Sequence, residues 1–320
     1  MKIGVFSVLF GDKPFEETLD YLKELGVEAV EIGTGAYPGD AHCKPAELLE
    51  NETKLRQFRE AVERRGLIIS ALSCHGNPLH PQARIARDHH TTFERTVRLA
   101  ARLGVDRVIT FSGCPGSDPA AQQPCWITAP WPPEHLEALE WQWNERVVPY
   151  WKETAALCRS AGVKVAIEMH PNFVVYNPET MLRLREVAPD VIGCNFDPSH
   201  MFWQGIDPVA AIRRLGEAIY HVHAKDTRID RENTAVNGVL DAKKYTRELE
   251  RSWIFRTVGY GHDDAVWKDI VSTLRLVGYD YVLSIEHEDS VMSGAEGLKK
   301  AIAFLKGVVI SEPAGVAYWA

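Results

Sequence analysis

The sequence predicts a single (β/α)₈ TIM barrel of the α/β class, with residues 1–320 forming one domain. Eight short apolar runs alternate with segments in which apolar residues recur every three or four positions, the spacing of amphipathic helices. Three helix-to-strand junctions read ELGVEAVEI, RLGVDRVITF and LVGYDYVLSIE, which indicates a repeated β/α unit. No linker or low-complexity segment divides the chain. An open doubly wound sheet is the alternative, but the Gly-rich phosphate-binding motif typical of its first turn is missing.

The predicted strands are rich in Val, Ile and Leu, the composition of strands that are covered on both faces. They are Ile3–Phe10, Ala29–Gly33, Leu67–His75, Arg107–Ser112, Val165–His170, Ile192–Asp197, Ile219–Ala224 and Tyr281–Glu286. The first helix follows as PFEETLDYLKELG, with apolar side chains at positions 15, 19, 22 and 25. Later helical segments are 92–104, 151–162, 178–188, 208–218, 267–278 and 297–307. Several of them end in Gly, which terminates helices in the left-handed conformation.

Two connections are longer than a minimal barrel needs. Residues 113–133 are rich in Pro, Gly and Trp, and residues 226–264 contain several aromatic side chains. Long irregular loops in a compact domain are usually functional covers or disordered segments, and the aromatic content favours ordered covers. We therefore expect both loops to wall the mouth of a site. The final EPAGVAYWA is expected to lie over the surface or at an oligomer contact.

Composition excludes several functional classes. The net charge of −8 provides no basic surface for nucleic acid and disfavours anionic membranes. No apolar stretch approaches the ~20 residues that cross a bilayer. The N-terminal MKIGVFSVLF is predicted to be the first strand rather than a signal peptide. The six cysteines form no CxxC pair, so reduced thiols and a cytoplasmic location are expected.

Three acids and a histidine stand at the carboxyl ends of four predicted strands: Glu168 in VAIEMHP, Asp197 in CNFDPSH, His223 in YHVHAKD and Glu286 in LSIEHED. Because the carboxyl ends of parallel barrel strands meet at one face, we expect these side chains to converge. Three carboxylates and one imidazole form a divalent-metal site. Such an oxygen-rich ligand set suits Mn²⁺, Mg²⁺ or Co²⁺ better than a thiolate-preferring metal.

Each of these residues also has a purely structural explanation. Glu168 could form a buried ion pair, Asp197 could cap the helical turn that follows it, and His223 could be a core histidine. Glu288 would share the face of Glu286 if the strand continued, so it competes as the ligand. His221, on the same strand as His223, is expected to pack elsewhere.

Taken in order, Glu168, Asp197-x-x-His200, the HVHAKD segment and Glu286 resemble the xylose-isomerase-like TIM barrels. That group includes ketose 3-epimerases, sugar-phosphate isomerases and epimerases, inosose dehydratases and endonuclease IV. The resemblance implies that Glu168, Asp197, His223 and Glu286 hold one divalent ion, often Mn²⁺. It also implies that His200 and Arg228 contact substrate oxygens, although Arg228 lies one residue closer to His223 than the family spacing.

Three further residues are candidates for substrate binding. His75 ends the third predicted strand, at the start of HGNPLH, and Arg256 and His262 lie in the IFRTVGYGHDD part of the second long loop. Their position near the expected mouth suits contact with a polar or anionic substrate group.

The predicted function is a metal-dependent isomerase or epimerase of a keto-sugar or related polyol, acting through an enediolate intermediate. Glu168 and Glu286 would be the catalytic proton-transfer groups, and the metal would polarise the carbonyl. The alternative is a lyase or deglycosidase subunit acting on a 3-oxo-glycoside, of the C-glycoside deglycosidase type, with the same metal site. The expected ligand is a small sugar or sugar derivative. The sequence also allows assembly as a homo-oligomer or with a small β-rich partner subunit.

Two other functions are disfavoured. A nuclease like endonuclease IV needs several more histidine ligands, whereas the fourth strand ends in FSGCPG and the chain is acidic. In a non-catalytic binding barrel that holds no metal, the acids and the histidine at four strand ends would each need a separate structural explanation.

Overall fold

Eight parallel strands form a closed barrel in the computed structural model, which describes residues 1–320. The chain has ten strands in all: β1 (Lys2–Phe6), β2 (Ala29–Gly33), β3 (Ile68–Ser73), β4 (Arg107–Phe111), β5 (Lys164–Glu168), β6 (Ile192–Phe196), β7 (Ile219–Ala224), β8 (Asp226–Ile229), β9 (Trp253–Arg256) and β10 (Val282–Ile285). The barrel order is β1-β10-β7-β6-β5-β4-β3-β2, and β8 and β9 form a separate antiparallel hairpin. The predicted (β/α)₈ fold is confirmed.

Helices cover the outside of the barrel. They are α1 (Phe15–Glu24), α2 (Pro45–Glu50), α3 (Glu52–Glu63), α4 (Ala83–Leu103), α5 (Glu134–Trp141), α6 (Val148–Ala161), α7 (Pro178–Arg185), α8 (Pro198–Trp203), α9 (Pro208–Leu215), α10 (Arg231–Asn237), α11 (Asp264–Leu276) and α12 (Gly294–Val308). None of these helices combines the length and apolar character that crossing a membrane requires.

Local sequence signals set many of the helix ends. The side chain of Asn177 caps α7 and forms a reciprocal capping box with Thr180. Gly104 and Gly162 end α4 and α6 with positive φ angles of 73° and 67°, a conformation that costs Gly little. The first predicted strand was too long, because β1 ends at Phe6 and a 3₁₀ turn covers Ser7–Phe10.

The apolar core lies mainly between the barrel and its helices, whereas the barrel interior carries polar side chains. His221 is fully buried there, with Nδ1 3.0 Å from Asn195 Oδ1 and Nε2 3.3 Å from Ser70 Oγ. Burial lowers the pKa of His221 to about 3, so the ring is neutral. The expectation that His221 packs away from His223 was wrong, because residues two apart on a strand share a face. The two rings lie 5.9 Å apart.

One buried carboxylate organises the second long loop. Asp226 accepts hydrogen bonds from the backbone N–H groups of Thr227, Gly259, Gly261 and His262 at 2.8–3.1 Å. It also pairs with His262 Nδ1 at 2.8 Å and accepts from the Trp267 indole at 3.3 Å. These bonds pin the 257–263 turn against the end of β7 and the start of α11. This part of the second long loop is therefore held in one conformation.

Candidate metal centre and active site

Glu168, Asp197, His223 and Glu286 converge at the carboxyl ends of β5, β6, β7 and β10. Each side chain offers one oxygen or nitrogen atom, and these atoms all lie within 4.8 Å of one another. Two ligands on opposite sides of one ion, bound at ~2.0–2.4 Å, are separated by at most ~4.8 Å. The cluster is therefore compact enough to hold a single divalent ion.

The hydrogen bonding of the cluster also fits a cation. Asp197 Oδ2 and His223 Nδ1 are buried and make no well-oriented hydrogen bond within the chain, although oppositely charged or polar groups lie 3.1–3.5 Å from each. A buried polar atom without a partner is costly unless a ligand satisfies it. Both atoms belong to the converging set, so an ion there would satisfy them.

Asp197 serves two purposes at once. Its Oδ1 accepts a hydrogen bond from Ser199 N at 2.8 Å and caps α8, while Oδ2 faces the cluster. Asp197 therefore caps the helix, as the structural alternative suggested, and is also one of the four converging side chains. The cap holds the carboxylate in one orientation.

Glu31 orients the imidazole of His223 from inside the barrel. His223 Nε2 lies 3.0 Å from Glu31 Oε1, while Nδ1 faces Glu168 and Glu286 at 3.2 and 3.1 Å. The Glu31 carboxylate is itself held by the hydroxyls of Ser73 and Ser284, at 2.6 and 2.7 Å.

A carboxylate behind a ligating histidine fixes the ring and raises its basicity. Sequence reasoning missed Glu31, although a lone acid within the apolar strand AVEIG was the available signal.

Lys225 is the principal cation of the site. Its ammonium is buried, 2.9 Å from Glu286 Oε2, 2.9 Å from Glu288 Oε2 and 3.5 Å from Asp197 Oδ2. Burial opposes the charged form, but the three carboxylates outweigh it and raise the pKa of Lys225 well above its usual value. The side chain therefore stays protonated and can donate to a substrate oxygen.

The two glutamates of the cluster are both ionised. Burial alone would raise the pKa of Glu168, but His223 and His75 hold it well below the ordinary value. Burial is likewise overcome at Glu286, where Lys225 and His223 lower the pKa. Asp197 behaves differently, since burial dominates there and raises its pKa.

Two of the predicted substrate-binding histidines reach the cluster. His75 Nε2 lies 2.9 Å from Glu168 Oε2. His200 Nε2 lies 3.5 Å from Glu168 Oε1 and 3.4 Å from Asp197 Oδ2. His170 packs beside His200 with a ring separation of 4.2 Å, and burial together with that neighbour lowers its pKa to about 3.

The other three predicted contacts point elsewhere. Arg228 is exposed, and its only hydrogen bond runs to Gly261 O at 3.5 Å. Arg256 pairs with Asp289 at 3.2 Å. His262 is engaged by Asp226 and stacks on Phe202 at 3.6 Å. Arg256 and His262 stabilise the second long loop through these contacts. None of Arg228, Arg256 and His262 belongs to the cluster.

A cavity of about 260 Å³ opens onto the cluster. Its charged and imidazole lining residues are Glu168, Glu286, Glu288, His75, His170 and Lys225, and its aromatic walls include Phe6, Phe111 and Tyr37. A small polar molecule that enters this cavity meets both ionised glutamates.

The family model for the xylose isomerase-like TIM barrel matches residues 19–308. This chain belongs to that family. It is 39% identical over 312 residues to the uncharacterised protein YfiH of Bacillus subtilis strain 168, covering 97% of this chain and 99% of that protein.

Two solved structures share its fold. The probable 3-DHS dehydratase AsbF of Bacillus anthracis aligns with a TM-score of 0.66 at 18% identity, over 96% of this chain and 99% of that one. The 3-keto-D-glucoside 4-epimerase YcjR of E. coli aligns with a TM-score of 0.65 at 15% identity, over the same shares of the two chains. These identities show the fold alone.

Proposed function

We propose that this protein is a divalent-metal-dependent isomerase or epimerase of a keto-sugar or related polyol. The observation that carries the proposal is the convergence of Glu168, Asp197, His223 and Glu286 beneath a cavity for a small molecule. The family's structural neighbours include an epimerase and a dehydratase, which supports a sugar-modifying enzyme. Mn²⁺ is the proposed ion, with Mg²⁺ or Co²⁺ as alternatives that the same donor set accepts.

When bound, the ion supplies Lewis-acid polarisation of the substrate carbonyl. Glu168 and Glu286 are both ionised and both line the cavity, so each can accept a proton from a carbon next to that carbonyl. Two bases on different sides of the carbon give epimerisation, and one base used twice gives isomerisation. His200 and Lys225 provide donors for the substrate oxygens.

The proposal is tested by comparing Glu168→Gln and Glu286→Gln with a control, Glu28→Gln. Each Gln variant of the cluster should retain some metal yet lose kcat by about 10²–10⁴, the usual contribution of general-base catalysis. Glu28 pairs with Lys2, both side chains are about half exposed, and Glu28 lies outside the cluster and its cavity. Its substitution should lower kcat less than about fivefold, since exposed ion pairs contribute ~0.2–1 kcal/mol.

His223→Ala should abolish stoichiometric metal binding while preserving the circular dichroism spectrum. Turnover of keto-sugars in D₂O should place deuterium on the product carbon. Full activity of both cluster Gln variants would disprove the proton-transfer roles, and full metal content of His223→Ala would disprove the metal site.

A second candidate function is a lyase or deglycosidase that acts on a 3-oxo-glycoside through the same residues. It is favoured by one observation, the aromatic side chains that the second long loop places beside His200. Product analysis separates the two candidates, because only the lyase releases a free aglycone.

A further inference from the structure

A second cavity, of about 380 Å³, lies beside the proposed catalytic pocket. His170 contributes to the walls of both cavities, and His200 lines the second one while contacting Glu168 in the cluster. The two cavities therefore share part of their walls beside the cluster.

We call this second cavity the aromatic cleft, because most of its apolar wall consists of Trp126, Trp203, Tyr245, Trp253 and Phe255. Trp203 and Trp253 are buried and stack at 4.7 Å with an angle of 7° between their planes. Tyr245 lies nearly parallel to Phe255 at 5.7 Å, and about half of its side chain is exposed at the rim. The indole N–H groups of Trp126 and Trp203 have no hydrogen-bond partner within the chain.

Phe255 links the cleft to the catalytic pocket. Its ring lies 4.4 Å from Lys225 Nζ and 5.6 Å from the His200 ring. Both of those residues contact the metal cluster, as described above. A wall residue of the cleft is thus packed directly against residues that contact the metal cluster.

The residues of the cleft come from the two long loops and from α8. Trp126 belongs to the 113–133 connection, and Tyr245, Trp253 and Phe255 belong to the 226–264 connection. A minimal (β/α)₈ barrel needs neither insertion. Trp203, Trp253 and Phe255 form a small buried cluster, whereas Tyr245 and the partly buried Trp126 border the open volume of the cleft with exposed ring surface.

We propose that the aromatic cleft binds a ring carried by the substrate, so that the substrate is a keto-sugar glycoside rather than a free monosaccharide. Flat aromatic faces stack with planar phenolic rings and with the apolar faces of sugar rings, and both share this chemistry. The sugar carbonyl would lie at the metal cluster and the second ring against the exposed surface of Tyr245 at the rim of the cleft. This inference rests on the proposed function for the identity of the reacting sugar.

The test compares Tyr245→Ala with Tyr260→Ala on a graded set of 3-oxo-glucosides. Tyr260 lies in the same loop and is similarly exposed, but does not line the cleft. The substrates carry a methyl group, a 4-nitrophenyl ring or a second glucose.

Wild-type enzyme should turn over at least one ring-bearing glycoside with a kcat/KM about tenfold above that of the methyl glycoside. Tyr245→Ala should remove about tenfold of kcat/KM on that substrate alone, the factor that ~1.4 kcal/mol of stacking supplies. Tyr260→Ala should leave the ratio of kcat/KM for the ring-bearing glycoside to kcat/KM for the methyl glycoside unchanged. Whichever ring is preferred identifies the occupant.

A binding measurement separates failure of this inference from failure of the proposed function. Calorimetric titration of the Mn²⁺-loaded protein uses the unreactive 4-nitrophenyl and methyl β-D-glucosides and cellobiose. Ring-selective binding that Tyr245→Ala weakens, without turnover of any oxo-sugar, would support the cleft and reject the proposed reaction. Equal kcat/KM and equal affinity for methyl and ring-bearing compounds would overturn the cleft and leave the proposed reaction intact.

Discussion

Replacing Glu31 by Gln tests whether the buried carboxylate behind His223 tunes the metal site. Gln has nearly the same shape, and its carbonyl oxygen can still accept a hydrogen bond from His223 Nε2, which lies 3.0 Å from Glu31 Oε1. What the substitution removes is the negative charge. Glu31 is the first of the groups that raise the pKa of His223 against burial, so its loss makes His223 Nδ1 a weaker base.

The expected effect follows from the contacts that each variant keeps. Removing such a supporting partner typically costs 10–100-fold in metal affinity, or ~1.4–2.7 kcal/mol. Glu31→Gln retains a hydrogen-bond acceptor for His223, so its metal affinity should fall about tenfold. Glu31→Ala loses the acceptor and the bonds from Ser73 and Ser284, so it should approach 100-fold.

The assay is Mn²⁺ titration by calorimetry, with metal content after dialysis as a second measure. Glu28→Gln is the matched control, since Glu28 directly precedes β2 and is half exposed in its pair with Lys2. That control should bind metal like the wild-type protein. If Glu31→Gln and Glu31→Ala both kept wild-type affinity, Glu31 would not be supporting a ligating histidine, and the assigned orientation of His223 would be wrong.

Two further predictions concern stability. Asp226→Asn should lower the free energy of unfolding by about 2–4 kcal/mol, because the amide cannot accept all the hydrogen bonds that converge on the carboxylate. Chemical denaturation measures this loss, and a change below 1 kcal/mol would contradict the loop-anchoring role. Deleting residues 311–320 should leave the thermal midpoint within about 1 °C, since every residue of this segment is exposed. A drop of several degrees would show that the tail packs on the barrel or on a second copy, and Ile310 must be kept because its carbonyl binds the N-terminal amine.

The barrel and the residues at its strand ends could be predicted from the amino-acid sequence alone. The alternation of apolar runs with amphipathic helices is dictated by burial, and parallel strands place their carboxyl ends at one face. Glu168, Asp197, His223 and Glu286 could therefore be predicted to converge without knowledge of any distance, and the structure brings them together. His75 was placed by its position at a strand end, whereas His200 was placed by the resemblance to the xylose-isomerase-like barrels.

The surroundings of that cluster could not be predicted in the same way, because they depend on contacts between distant parts of the folded chain. Glu31 is 192 residues from His223 in sequence, and their contact depends on the barrel being closed. The direction of Arg256 and His262 is set by Asp289 and Asp226, in an irregular loop with no period from which an orientation could be inferred. The aromatic cleft arises because two insertions fold against each other across α8. Strand ends are positioned by a repeating geometry, whereas long loops are positioned by individual contacts, and individual contacts exist only in the folded chain.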